Sequence, residues 1–294
     1  MVNCNTNEKN NGFLEIPKTH KEIEDAFKDI SNATYLNISD KGIENLTKNI
    51  GDLYNLRTLV SSNNNLTTIP ESIGDLKNLR QLVLSNNKIT ELPKSLKKLN
   101  NLLSLDVSFN ELTEIPYFVF DLESLEGLNL SNNEINEIPN YFNSFKKQLY
   151  VNLAGNNISE IPLEFGNKNV LNLMLDYNPI KELPESFTDN LNNLILLFLS
   201  HTEIEKLPKS FCKMTKLVNL NLSNNPNLKE LPKNMGDLEN LVELNLSYNP
   251  ELKKLPTSIF KIQNLLHLWV KGSGISEKEI EKIKIALPNC MIHN

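Results

Sequence analysis

One spacing governs this chain. From Ala33 onward the pattern L-x-x-L-x-L-x-x-N-x-L-x-x-(L/I)-P returns eleven times, starting at Ala33, Leu56, Leu79, Leu102, Leu125, Gln148, Val170, Leu194, Leu217, Leu241 and Leu265, with steps of 22 to 24 residues. A unit this short cannot bury its own apolar edge, so it must stack on its neighbours. The 294 residues are therefore expected to form one elongated solenoid and not two compact domains.

Each position in the unit has a physical reason. In L-x-x-L-x-L the alternation has a period of two, which turns the second and third leucines to one side of a short strand and the residues between them to the other. After the strand, Asn64, Asn87, Asn110, Asn133, Asn156, Asn178, Asn225 and Asn249 recur at one position, with Thr202 replacing Asn in one repeat. A side-chain amide donates and accepts, so this ladder is expected to satisfy backbone groups freed at the turn. Pro70, Pro93, Pro116, Pro139, Pro162, Pro184, Pro208, Pro232 and Pro256 open the opposite side, as first residues of brief helical or 3₁₀ turns. Ser61, Gln148, Lys41 and Thr47 depart from the pattern and mark local irregularity.

Charge and motifs exclude several function classes. Thirty basic against 36 acidic residues leave a net charge of −6, and Arg57 and Arg80 are the only arginines. Nucleic-acid binding calls for clustered Lys and Arg, so it is not expected. No zinc-protease, phosphate-loop, dinucleotide or nucleophile-elbow motif occurs, so no catalytic residue and no cofactor are assigned. His20, His201, His267 and His293 are read as far apart in register, and no metal site is expected because ligands must be neighbours. Cys4, Cys212 and Cys290 are few and scattered, which points to a reducing compartment, with Cys212 in a buried apolar role. Of eight N-x-S/T sequons, four fall on strands, where a sugar would obstruct the sheet. With no apolar run of eighteen residues and no signal-like start, the chain is expected to be cytoplasmic, not membrane-inserted, and monomeric.

The ends differ from the middle. Residues 1–12 are Asn-rich and expected to be disordered. Residues 13–32 are expected to cap the first repeat, with a capping box from Thr19 to Glu22 and Ile23, Ala26, Phe27 and Ile30 at helical spacing. Residues 33–275 hold the repeats. In 276–294, Ser276 and Glu279 repeat the capping box, Ile280, Ile283 and Leu287 share a face, Pro288 stops the helix, and 289–292 add an edge strand. With both caps present, the chain reads as a whole protein.

The phrase Leu-Pro-x-x-(Ile/Met)-Gly-x-Leu-x-x-Leu, from Ile69 to Leu79 and from Leu231 to Leu241, gives the resemblance. The chain is similar to leucine-rich repeat proteins, in particular intracellular Ras-group scaffold proteins and bacterial proteins with such repeats. The resemblance implies an α/β fold: a curved horseshoe of about eleven repeats, with a parallel β-sheet on the concave face and short helices, 3₁₀ turns and loops on the convex face. It also implies protein binding, with small GTPases or phosphatases as candidate partners.

The scaffold does not dictate the residues between the strand leucines, and function is sought there. The residue before the third strand leucine is mostly polar, but becomes Met174, Phe198 and Trp269 in three repeats. With Tyr150, Leu196, Tyr177 and His201, the first two are expected to form an apolar protein-binding patch over repeats six to eight. Glu243, Tyr248, His267 and Trp269 form a second candidate patch. The expected function is an intracellular, non-enzymatic interaction module with its partner on the concave sheet; the alternatives are a pathogen-type effector on a host protein, or the substrate-recognition subunit of an enzyme complex related to GTPases, phosphatases or ubiquitin ligases.

Overall fold

The computed structural model describes residues 19–20, 22–139 and 145–294; the expected disordered stretch 1–12 lies outside them. The repeats give one parallel sheet of thirteen strands whose spatial order follows the chain. Strands β2 (Tyr35–Asn37), β3 (Thr58–Val60), β4 (Gln81–Val83), β5 (Ser104–Asp106), β6 (Gly127–Asn129) and β7 (Leu149–Asn152) come from the first six repeats. The other five repeats supply β8 (Val170–Met174), β9 (Leu196–Phe198), β10 (Asn219–Asn221), β11 (Glu243–Asn245) and β12 (His267–Trp269). Two strands outside the repeats, β1 (Thr19–His20) and β13 (Met291–His293), pair at the two edges. Each repeat places its strand leucine, such as Leu82, Leu105 or Leu244, in one continuous core, and leaves the flanking strand residues on the open face. This is the leucine-rich repeat solenoid expected from the period.

The Asn ladder is structural. Asn87 donates through Nδ2 to the carbonyls of Ser61 and Leu84 at 2.8 and 2.9 Å, while its Oδ1 accepts the Leu66 N–H at 3.0 Å. The same bonds recur at Asn110, Asn133 and Asn156. Every rung thereby ties two adjacent repeats through groups that water cannot reach. Thr202 has one donor, which it gives to Asn225 Oδ1 at 2.7 Å. There the local turn compensates: the Ile180 N–H goes to the Asn178 carbonyl. Ser61, the polar departure in the core, is satisfied in the same way, since Asn64 Nδ2 reaches its Oγ at 3.1 Å.

On the convex side short 3₁₀ helices follow the prolines, among them Glu71–Asp75, Lys94–Lys98 and Thr257–Lys261. The prolines occupy the cap position, with extended ψ, and not the first helical position expected for them. Their carbonyls still accept the first helical N–H, as Pro70 does from Ile73, and proline's fixed φ suits either place. Within the shared phrase, a Cβ on Gly74 would stand 2.4 Å from the Ser95 carbonyl oxygen and one on Gly236 would stand 2.3 Å from that of Ser258. Consecutive convex turns touch backbone to backbone there, which leaves room only for glycine.

Three expectations are corrected. Thr19 does not cap a helix: it lies in β1, paired with Tyr35. The open edge of β2 takes up residues 19–20 as extended chain, and helix α1 (Ile23–Lys28) starts after Glu22, which makes no side-chain cap bond. Gln148 is exposed and Leu149 fills the core in its place, with a register shift between Leu149 and Tyr150. Burying an aliphatic side chain instead of an amide explains the slip. The third concerns the histidines: His267 and His293 are neighbours across β12 and β13, with Nδ1 and Nε2 3.3 Å apart. Besides α1, helix α2 (Phe187–Asn190) interrupts the convex side, and α3 (Glu277–Ala286) closes the C-terminal end. Ser276 caps α3 by accepting the Glu279 N–H, and Ile280, Ile283 and Leu287 are buried.

Candidate protein-binding face

The strand register builds the open face as rows. One runs Asn152, Met174, Phe198, Asn221, Asn245, Trp269 and His293 across β7 to β13. A second runs Tyr150, Asn172, Leu196, Asn219, Glu243, His267 and Met291. Of the central residues, Met174 and Phe198 therefore stand side by side, Leu196 shares the strand of Phe198, and Tyr150 is one rung removed, with Asn172 between. Met174, Leu196 and Phe198 are half-buried, whereas Tyr150 is 52% exposed.

A third row runs along the exit of each strand, and it carries the most informative chemistry. The backbone there is left-handed in every repeat: Asp40, Asn63, Asn86, Asn132, Gly155, Asn224 and Gly272 hold it at φ between 55° and 68°. Those residue types tolerate this conformation. Phe109, Tyr177, His201 and Tyr248 adopt the same φ, 54° to 58°. A bulky residue held there costs of order 1 kcal/mol. Burial does not return that cost, because Phe109, Tyr177 and Tyr248 are 49 to 59% exposed. Tyr177 and His201 stack in parallel with ring centroids 4.0 Å apart, which makes one broad aromatic plate beside Phe198 and Met174.

Beneath the plate, Asp176 is buried and its carboxylate accepts both the Ser200 N–H at 2.8 Å and the Ser200 hydroxyl at 2.6 Å. Desolvation pushes the Asp176 carboxyl above the usual carboxylate range, against the lowering by these bonds and by the charge of nearby His201. Ser200 Oγ in turn lies 3.3 Å from His201 Nδ1. The order is wrong for nucleophile activation, since the hydroxyl proton points at the carboxylate and the imidazole is not interposed. What the trio can do is hold the His201 ring in place.

The second patch also assembles. Trp269 stacks on His267 at 5.5 Å and on His293 at 4.7 Å, and Tyr248 lies on Gly272, where a Cβ would stand 2.7 Å from its ring. Glu243 faces His267 in register and accepts from Asn219 Nδ2. Cys212 packs beside Met235 with sulfurs 4.0 Å apart, and burial pushes its thiol up to about 12, which disables it as a nucleophile.

Reading the rows from sequence missed one feature. Leu171, Ile195, Val218, Val242 and Leu266 follow the first leucine in five successive repeats, where Thr34, Arg57, Arg80, Leu103 and Glu126 stand earlier in the chain. Ile195, Val218, Val242 and Leu266 line a shallow groove along the entry edge of the sheet, bordered by Lys216, Asn240 and Asn264. The unbroken run of aliphatic residues at that single position from the seventh repeat onward was the available signal.

Among known proteins, the leucine rich repeat model matches residues 31–89, 54–112 and 168–226, and a second model of the same repeat matches 124–145. No curated protein matches significantly. Among solved structures, a leucine-rich repeat protein of Leptospira interrogans is 27% identical, with 95% of this chain and 100% of that one covered and a TM-score of 0.52. The ectodomain of the membrane receptor kinase GASSHO1/SCHENGEN3 from Arabidopsis thaliana, in complex with Casparian Strip Integrity Factor 2, is 28% identical with a TM-score of 0.65. The match covers 88% of this chain and 31% of that one, so the chain spans about a third of that ectodomain. An internalin from Listeria monocytogenes shares the fold at 19% identity, with 91% and 88% covered and a TM-score of 0.62. With the two models of the repeat together matching more than half of the chain and the strands stacked as a solenoid, this chain belongs to the leucine-rich repeat family, whose domains typically serve as non-catalytic protein-binding modules.

Proposed function

We propose that the chain is a non-enzymatic, intracellular interaction module that takes a protein partner on the sheet face across β7, β8 and β9. The observation that carries this is the Tyr177–His201 plate: two adjacent exposed aromatic rings, stacked on left-handed backbone, in a row that seven other repeats fill with Asn, Asp or Gly. Rings held on strained backbone and still left open to solvent are the mark of residues kept for something they touch. Phe198 and Met174 beside it supply the apolar centre that hot spots have, and the surrounding Asn and Ser side chains supply a polar rim. The Arabidopsis ectodomain solved with Casparian Strip Integrity Factor 2 supports reading such an array as a receiving surface. Free Cys212 and Cys290 support a reducing setting. A small GTPase or a phosphatase is the partner class to test first, on the resemblance of the Leu-Pro-x-x-Ile-Gly phrase.

The test exchanges the plate for what other repeats carry. Tyr177→Asn with Phe198→Asn introduces the residue found at the same positions in several other repeats, so the melting temperature should stay level or rise. Losing one hot-spot side chain typically costs upward of about 2 kcal/mol, which is roughly 30-fold in affinity, so capture of the partner should disappear. Capture that persists at full strength in the double variant removes the central patch and favours Trp269 with Tyr248; unfolding of the variant shows that the plate is packing.

A further inference from the structure

The two imidazoles at the C-terminal end of the sheet, on β12 and β13, belong to no part of the proposed partner face, which ends on β9. β13 continues the parallel register of β12, which places His293 beside Trp269 and diagonal to His267. His267 Nδ1 and His293 Nε2 stand 3.3 Å apart, with their rings inclined at 22°. Both residues are half-buried, and Trp269 covers the His293 ring at 4.7 Å and 11°. Met291 flanks His267 on one side and Glu243 on the other.

Distance separates two readings of this pair. At 3.3 Å the two nitrogens are within hydrogen-bond reach but at its long end, since an N–H donor usually stands about 2.9–3.0 Å from its acceptor. Two nitrogens that each bind one tetrahedral ion at about 2.0–2.1 Å stand roughly 3.3–3.4 Å from each other. We propose that His267 and His293 form a two-ligand site for a divalent transition metal of the zinc class, which imidazole nitrogens suit. Among the described residues no group of three or more His, Cys, Asp and Glu is placed to hold a metal. The site is therefore open, with its remaining positions left to water or to an incoming ligand. Its two ligands sit on different strands, so the ion clips the closing strand β13 onto β12, and binding to the folded state alone raises stability by mass action.

Trp269 is the single tryptophan of the chain, so its fluorescence reports on this pair and no other. Titrating the full chain with zinc(II) at pH 7.5 should give one saturable change in that fluorescence, a calorimetric stoichiometry of one with the same midpoint, and a higher melting temperature. His267→Ala and His293→Gln should each weaken zinc at least tenfold, and the glutamine keeps a polar group of similar size so that β13 stays docked. Cys290→Ser, beside the site in sequence, should bind as the parent does. The proposal is overturned by an unsaturable or absent response, by full binding in His293→Gln, or by binding lost in Cys290→Ser but kept in the histidine variants. These outcomes are independent of the central patch, whose failure would show in partner capture alone.

Discussion

Asn133→Ala should destabilise the protein by roughly 3 kcal/mol or more, counting about 1–3 kcal/mol for each buried group left without a partner. The amide serves four buried backbone groups: Leu112 N–H donates to its Oδ1 at 3.0 Å, and its Nδ2 reaches the carbonyls of Val107, Leu130 and Ser131 at 3.1, 3.0 and 3.3 Å. Alanine removes all of these bonds at once and leaves nothing on the protein to replace them. Because the bonds to Leu112 and Val107 join repeat five to repeat four, the loss falls on the interface terms that make a solenoid cooperative. Asn136→Ala is the matched control, since Asn136 is exposed on the outer turn and its loss should stay within about 0.5 kcal/mol. Denaturant unfolding of the two variants checks this, and equal midpoints would show that the ladder contributes nothing beyond its backbone.

Removing residues 276–294 should be as damaging. The deletion takes away α3 and β13, and with them Ile280, Ile283 and Leu287, which are 0 to 6% exposed. At about 1.5–3 kcal/mol for each buried aliphatic side chain, the loss is upward of roughly 5 kcal/mol. That corresponds to a fall of the melting temperature on the order of 10 °C. The uncovered edge of β12 also offers unpaired backbone groups to other chains, so light scattering should reveal oligomers. Ile283→Asp keeps the chain length and should reproduce the fall in stability. A truncated chain that melts with the parent and stays monodisperse would mean that this end does not close the core.

The same periodicity that made the fold legible also limits what can be read from it. Leu82, Asn87 and Gly74 recur at fixed offsets because each answers a demand that every repeat makes, so one dimension of sequence suffices to place them. The rows on the open face follow from the same register, which is how Met174 could be set beside Phe198 and Tyr177 beside His201. Three features escaped because they depend on something other than the period. β13 belongs to no repeat, so His293 had no row in which to meet His267. The slip at Gln148 comes from competition between two adjacent residues for one core position, and only burial decides it. The strain at Phe109, Tyr177, His201 and Tyr248 is a backbone property, invisible in letters until the seven Asn, Asp and Gly residues with the same φ are set beside them.

The most direct measurement of where a partner sits is site-specific photo-crosslinking in native lysate, with a photoreactive phenylalanine placed singly at Tyr150, Tyr177 or Phe198 on the sheet face and at Tyr117 or Leu163 outside it. Tyr117 and Leu163 are 50% and 72% exposed, so accessibility alone does not favour the sheet positions. A binding face across β7 to β9 requires that Tyr177 and Phe198 join to one and the same protein while Tyr117 and Leu163 join to none in particular. Cross-links to a single protein from Tyr117 or Leu163, with none from Tyr177 and Phe198, would contradict it and move the partner off the sheet.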